Sequence, residues 1–226
     1  MRVLLLLLGG AALAGAQPFS VGIKGGLPLT DFFDAVNSGN LGYFSSTNRY
    51  IVGPTAELRL PFGLGIEFDA LYRHLHYSNA FSLVDVLVNS STESGNWEFP
   101  LLLKYRFKAP LARPFIDGGV AWDTLSGVSQ AIERTVVGTG VVSRSSNSSP
   151  AELQNSTVSG IVFGGGVDIH LPLIHVLPEI RYTHWNSPQF QSTGIAIPAG
   201  TGVTAVVPGS LSSTQNQVEF LVGITF

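Results

Sequence analysis

Cysteine is absent and methionine occurs once. Without thiols the chain has no disulfide framework and no thiolate metal site. Charge is also scarce. Asp, Glu, Lys and Arg make up 12% of the residues, against about 25% in ordinary soluble domains. That is a thin coat for a water-exposed surface. The charge present nearly cancels, at −3 net, so there is no basic footprint and no nucleic-acid partner is expected. Long apolar runs are missing except at the start, where "VLLLLLGGAALA" follows Arg2 and runs into "AGA" at Ala14–Ala16. This run falls short of the roughly 20 residues a helical span needs. A positive start, an apolar centre and a small-residue end predict a signal peptide over residues 1–16. The exported remainder, residues 17–226, shows no domain boundary and no linker.

Glycine, in contrast, is abundant at 26 residues. Between the glycine and serine clusters lie runs whose apolar residues recur at every second position, the period of a strand. The clearest is "NWEFPLLLKYRF". Trp97, Phe99, Leu101, Leu103, Tyr105 and Phe107 fall on one face, and Glu98, Lys104 and Arg106 on the other. A helix would scatter these charges, whereas a strand sorts them. Seven further runs behave alike: "FSVGIKGG", "YIVGPTAELRL", "LGIEFDALYR", "RPFIDGGVAWD", "STVSGIVFGGGVDIHL", "HVLPEIRYTHW" and the terminal "QVEFLVGITF". In every run the charged residues lie opposite the apolar face.

The connections alternate in length. "PFG", "KAPLA" and "PLI" are short turns, while residues 28–49, 78–95, 124–155 and 186–215 form long connections rich in Ser, Asn, Thr and Gly. Long connections at every second position place all four at one end of the sheet and both termini at the other. The serine-rich "SRSSNSSP" is expected at the tip of the third long connection. "TDFFDAV" in the first is expected to order that loop or to form a short amphipathic helix. Gly164–Gly166 are expected to mark a bend or bulge in the wall; a nucleotide loop would need a following helix.

The pattern predicts an all-β fold, an eight-stranded antiparallel up-and-down barrel. Such a barrel can be built two ways. A soluble ligand-binding barrel turns its apolar face inward, and a transmembrane barrel turns it toward lipid. The charges favour the second. Glu57, Glu67, Asp69, Glu98, Asp117, Asp123, Asp168, Glu179 and Glu219 face Lys24, Arg59, Arg73, Lys104, Arg106 and Arg181 in number close enough to pair across a lumen. Unpaired, they would be expensive in a closed interior. Strand length agrees. Ten residues at about 3.3 Å each, tilted by about 45°, rise roughly 23 Å, against a lipid-facing band about 25 Å tall. Phe19, Tyr50, Tyr72, Trp97, Tyr105, Phe107, Trp122, Tyr182 and Phe226 lie near strand ends, where aromatic girdles belong. Eight strands leave an interior just filled by side chains, so a plugged lumen is expected rather than an open channel.

The "AGA" site, the alternation of short and long connections and the terminal "VEFLVGITF" together resemble the small eight-stranded outer-membrane barrels of Gram-negative bacteria, the OmpA-type transmembrane domain. The resemblance covers the whole chain after the signal peptide. It implies a monomer in outer-membrane lipid, with the long connections extracellular, and a structural or surface-interaction role. It implies no cofactor. It further implies that Val218, Phe220, Val222, Ile224 and Phe226 form the strand read by the barrel-assembly machinery.

Chemistry is sparse. His74 and His76 lie two apart on one face of a strand, and could bind a metal only with a third ligand from elsewhere; no metal is expected. "HYSNA" resembles the His-x-Ser segment of outer-membrane lipid A deacylases, which carry it later in the chain. That resemblance implies His76 as base and Ser78 as nucleophile, with a carboxylate, Glu93 or Glu98, orienting the histidine. An envelope lipid-modifying enzyme and a soluble periplasmic ligand-binding barrel are thus the alternatives to a non-enzymatic membrane barrel.

Overall fold

Alternation of apolar and charged residues pins each strand's register, because a slip of one residue would exchange its two faces. The computed structural model describes residues 18–36, 41–83, 86–198 and 204–226; the expected signal peptide lies outside them. The strands are β1 (Phe19–Pro28), β2 (Phe33–Val36), β3 (Leu41–Ser45), β4 (Ile51–Arg59), β5 (Leu64–Asp69), β6 (Leu71–Leu83), β7 (Val86–Arg106), β8 (Ala112–Val136), β9 (Val141–Asn147), β10 (Thr157–His170), β11 (His175–Trp185), β12 (Gln191–Pro198), β13 (Thr204–Ser213) and β14 (Asn216–Thr225).

Eight walls close into an antiparallel barrel. Their order is β1, β4, β5 continued by β6, β7, β8, β10, β11 and β14, each hydrogen-bonded to the next. β14 returns to β1 in register from Gly22↔Thr225 to Pro28↔Glu219, which closes the ring. No edge is left open among these strands, as a bilayer demands of any sheet it contains. All eight apolar runs of the sequence are walls of this barrel.

The faces are inverted relative to a soluble protein. Val21, Ile23, Ile66, Leu101, Leu103, Ile116, Phe163, Ile180 and Phe220 are exposed on the outside. Arg73, Lys104, Arg181 and their neighbours are buried inside. This excludes the soluble ligand-binding barrel. The outer aromatics form a partial belt: Tyr72 contacts Trp97 with ring centroids 5.1 Å apart, and Phe99 stacks beside Trp97 at 6.2 Å.

Several expectations about the long connections are corrected. Residues 78–95 and 124–155 largely continue the wall as β6, β7, β8 and β9. β7 has 21 residues. At about 3.3 Å per residue and about 45° of tilt it rises roughly 49 Å, about twice the lipid-facing band. Cross-strand pairing continues because β7 and β8 stay in contact up to Val86↔Val136. A register shift lies between Glu93 and Gly95 on β7, opposite Gly127 of β8 at φ 63°. It has the form of a glycine bulge, which adds twist where a wall leaves the barrel rim. "SRSSNSSP" is not a loop tip. Most of it is the exposed strand β9, and the reversal falls at residues 137–140. "TDFFDAV" forms no helix; Phe33–Val36 is β2, which pairs with β13, and β12 completes a three-stranded sheet. Gly164–Gly166 mark no bulge, since β10 keeps one register with both neighbours. Gly164 instead lies under the carboxyl groups of Asp117 and Glu179, and Gly166 under the Phe115 ring. A side chain at either position would fill space that inward-pointing groups occupy.

Candidate functional site

Inward side chains from facing walls meet in the barrel. Near the short-turn end, Arg106 of β7 donates through both terminal nitrogens to Glu57 of β4, and its Nε donates to Asp168 of β10 at 2.9 Å. Arg59 is half-buried at the rim, with Nη2 3.4 Å from Ser20 Oγ. One layer further in, Lys24 of β1 pairs with Glu67 of β5, with Asp69 at 3.2 Å and with Glu179 of β11 at 3.0 Å. Lys104 donates to Glu67 at 2.5 Å. Arg181 donates to Glu179 at 2.7 Å and to Asp69 at 2.9 Å. These partners are up to 155 residues apart in sequence, so they tie facing walls together as well as neighbours. Geometry of this kind, bidentate or shared among several carboxylates, is what a buried ion pair needs to offset its desolvation.

Acid exceeds base toward the long-connection end. Glu98 and Glu219 have both carboxylate oxygens buried without a hydrogen-bond partner, as does Asp117 one layer back beside Lys104. Asp123 accepts from Asn96 and Gln189, each at 3.0 Å. Arg73 lies with its guanidinium 4.8 Å from the centre of the Phe32 ring and Nη2 3.5 Å from Gln217.

Above Arg73 the interior turns apolar. Phe33, Tyr77 and Phe190 meet edge to face, with centroids 4.9 to 5.7 Å apart. Leu75, Phe81 and Leu211 pack around them. Burial pushes the Tyr43 phenol up, so this side chain stays neutral here. The phenylalanines come from the first long connection and from the segment before β12, so this core draws residues from several connections. Sequence reading missed it. The "FF" of residues 32–33 was its visible trace.

The deacylase-like pair is not assembled. His76 and Ser78 lie on the outward side of β6, and no hydrogen bond joins them. Glu93 reaches His76 at 3.4 Å, because the two are cross-strand partners. Glu98 is inside the barrel and cannot orient this histidine. His74 and His76 gather no third ligand among the described residues. The one cluster of metal-ligating type among them is Asp168, His170 and His175, whose ligand atoms lie within 4.8 Å of one another. In β14, Val218 and Val222 are half-buried, while Phe220 and Ile224, and Phe226 just after the strand, are exposed on the outer face.

The outer membrane protein beta-barrel domain family matches residues 15–184. Among solved structures, the chain is similar to Neisserial surface protein A at 14% identity, over 94% of this chain and 98% of that one, with a TM-score of 0.39. It is similar to the outer membrane protein OprG from Pseudomonas aeruginosa at 13% identity, over 92% and 95% of the two chains, with a TM-score of 0.44. The N-terminal beta-barrel domain of Pseudomonas aeruginosa OprF is similar at 13% identity, over 92% and 97%, with a TM-score of 0.31. No curated protein matches the chain by sequence. This closed barrel, with its apolar exterior and charged interior, belongs to the outer membrane protein beta-barrel domain family.

Proposed function

We propose that the protein is a non-enzymatic barrel of the Gram-negative outer membrane, exported by an N-terminal signal peptide, with a plugged lumen and a surface-contact role carried by its four long connections. The observation that carries this reading is the cross-lumen bonding of Lys24, Arg106 and Arg181 to carboxylates on other walls. An open pore needs a continuous polar gap, and eight strands leave room only for side chains. The apolar core around Phe33, Tyr77 and Phe190 adds a second barrier at the long-connection end. The long connections face outward and the termini face the periplasm. Lipid surrounds a single copy of the barrel, and the barrel-assembly machinery reads Phe220, Val222 and Ile224 of β14 with Phe226 just after it.

Planar-bilayer recording of the purified barrel tests the plug. The expected trace matches lipid alone; reproducible conductance steps would overturn it. The absence of a His76–Ser78 bond supports the non-enzymatic reading. Replacing Ser78 with alanine is expected to leave the lipid A mass spectrum of the host unchanged, and a shift by one acyl chain would reverse that part of the proposal.

A further inference from the structure

The short-turn end holds two histidines that the plug does not use, beside Asp168, whose other oxygen it does. β10 and β11 are joined by residues 171–174, closed by a hydrogen bond from the Leu171 amide to the Ile174 carbonyl at 2.9 Å. His170 and His175 are direct cross-strand partners, so both imidazoles project from the same face. Asp168 is two residues before His170 and therefore shares that face. One hairpin thus presents two imidazoles and a carboxylate together. Asp168 Oδ1 lies 2.9 Å from His175 Nδ1 and 3.5 Å from His170 Nδ1, and the two rings are 4.1 Å apart. Ligand atoms bound to one zinc ion at about 2.0–2.1 Å in tetrahedral geometry are separated by roughly 3.4 Å. The two separations from Asp168 Oδ1 are near that spacing, and all three ligand atoms lie within 4.8 Å of one another.

Three further features point to a cation. His170 Nδ1 is buried and has no hydrogen-bond partner. Asp168 is held by Arg106, whose Nε donates to Oδ2 at 2.9 Å and leaves Oδ1 turned toward both imidazoles. Arg106 is itself clamped by Glu57. Orientation of a ligating carboxylate by an outer hydrogen bond is a recurrent feature of metal sites. Arg113 of β8 faces Asp168 across the strands, so Glu57, Arg106, Arg113 and Asp168 together carry no net charge, and the donor set rather than the local field selects the cation. The His170 and His175 side chains are 28% and 18% exposed, so an ion can enter from the short-turn end.

We propose that Asp168, His170 and His175 form a binding site for a first-row divalent transition-metal ion at the short-turn mouth of the barrel. Two imidazoles and one carboxylate suit zinc, and cobalt, nickel or copper in its place. Three protein ligands leave a fourth position for solvent.

The test uses the mature chain without a histidine tag, folded in detergent and freed of metal by a chelator. Titration with zinc chloride is expected to show one ion per barrel. Cobalt should give the strong visible absorption of a tetrahedral site. His170→Ala and His175→Ala should each weaken zinc binding by about tenfold or more, while His74→Ala and His76→Ala change nothing. Heat-modifiable gel migration shows whether each variant remains folded. Should a variant fail to fold, the unmodified chain decides: zinc should protect His170 and His175, and not His74 or His184, from diethylpyrocarbonate. No stoichiometric binding, binding that survives loss of both histidines, or protection elsewhere would overturn the site.

Discussion

Arg181, like Lys24, pairs with three carboxylates inside the barrel, so its removal has a sharp consequence. Its side chain is fully buried, at 0% exposure, and it reaches Glu179 at 2.7 Å, Asp69 at 2.9 Å and Glu67 at 3.4 Å. Arg181→Met keeps much of the volume and deletes the charge. Lys24 and Lys104 still serve Glu67, but Asp69 and Glu179 then share Lys24 alone. Removing one partner of a buried ion pair costs about 3–5 kcal/mol, because the remaining charges stay buried. With a urea dependence of about 2 kcal/mol per molar, the midpoint of unfolding from lipid vesicles should fall by roughly 1.5–2.5 M. Gel migration of unheated samples measures the folded fraction. Adding Glu179→Gln to Arg181→Met removes one stranded acid and should restore about half of the loss, a coupling that a double-mutant cycle reads directly. A midpoint lowered by less than about 0.5 M would refute the reasoning. It would mean that each interior charge is solvated on its own.

Leu103 is 57% exposed on the outer wall, so Leu103→Arg should destabilise the barrel by about 2–4 kcal/mol in the same urea titration, the cost of a cation near the bilayer midplane. Phe226 is exposed just past β14, with its backbone amide donating to the Val21 carbonyl. Deleting it should lower the yield of barrel in the outer membrane more than it lowers the urea midpoint of barrel already folded. Equal effects would mean that the residue only packs.

The walls were readable in the sequence because alternation over ten residues is a local signal. "NWEFPLLLKYRF" declares its two faces without reference to any other strand, and so does "QVEFLVGITF". Which inward charges meet was not readable. That depends on strand stagger around the whole ring, which brings Lys24 to Glu179 and Arg106 to Glu57. The extension of β7 and β8 was hidden because serine, threonine, asparagine and glycine in residues 86–96 and 124–136 look like loop composition. Pairing with an equally polar neighbour makes them strands. Phe32 and Phe33 lie in a stretch short enough to be read as an ordered loop or an amphipathic helix, and only the core above Arg73 explains their burial. Gly164 and Gly166 carried a local expectation of a bend, while their cause is on the two neighbouring strands, in Asp117 and Phe115 of β8 and Glu179 of β11. His170 and His175 could have been paired from the four residues between them, since a short turn brings such neighbours face to face. Glu93, opposite His76, became a partner only through the β6–β7 register.

The central claim is that apolar side chains face lipid and charged ones the lumen. Because the chain has no cysteine of its own, single cysteines placed at each position from 101 to 106 report orientation without background. With the barrel in lipid vesicles, a membrane-soluble maleimide should label positions 101, 103 and 105 and leave 102, 104 and 106 unlabelled. The opposite alternation, or uniform labelling along the strand, would contradict the account.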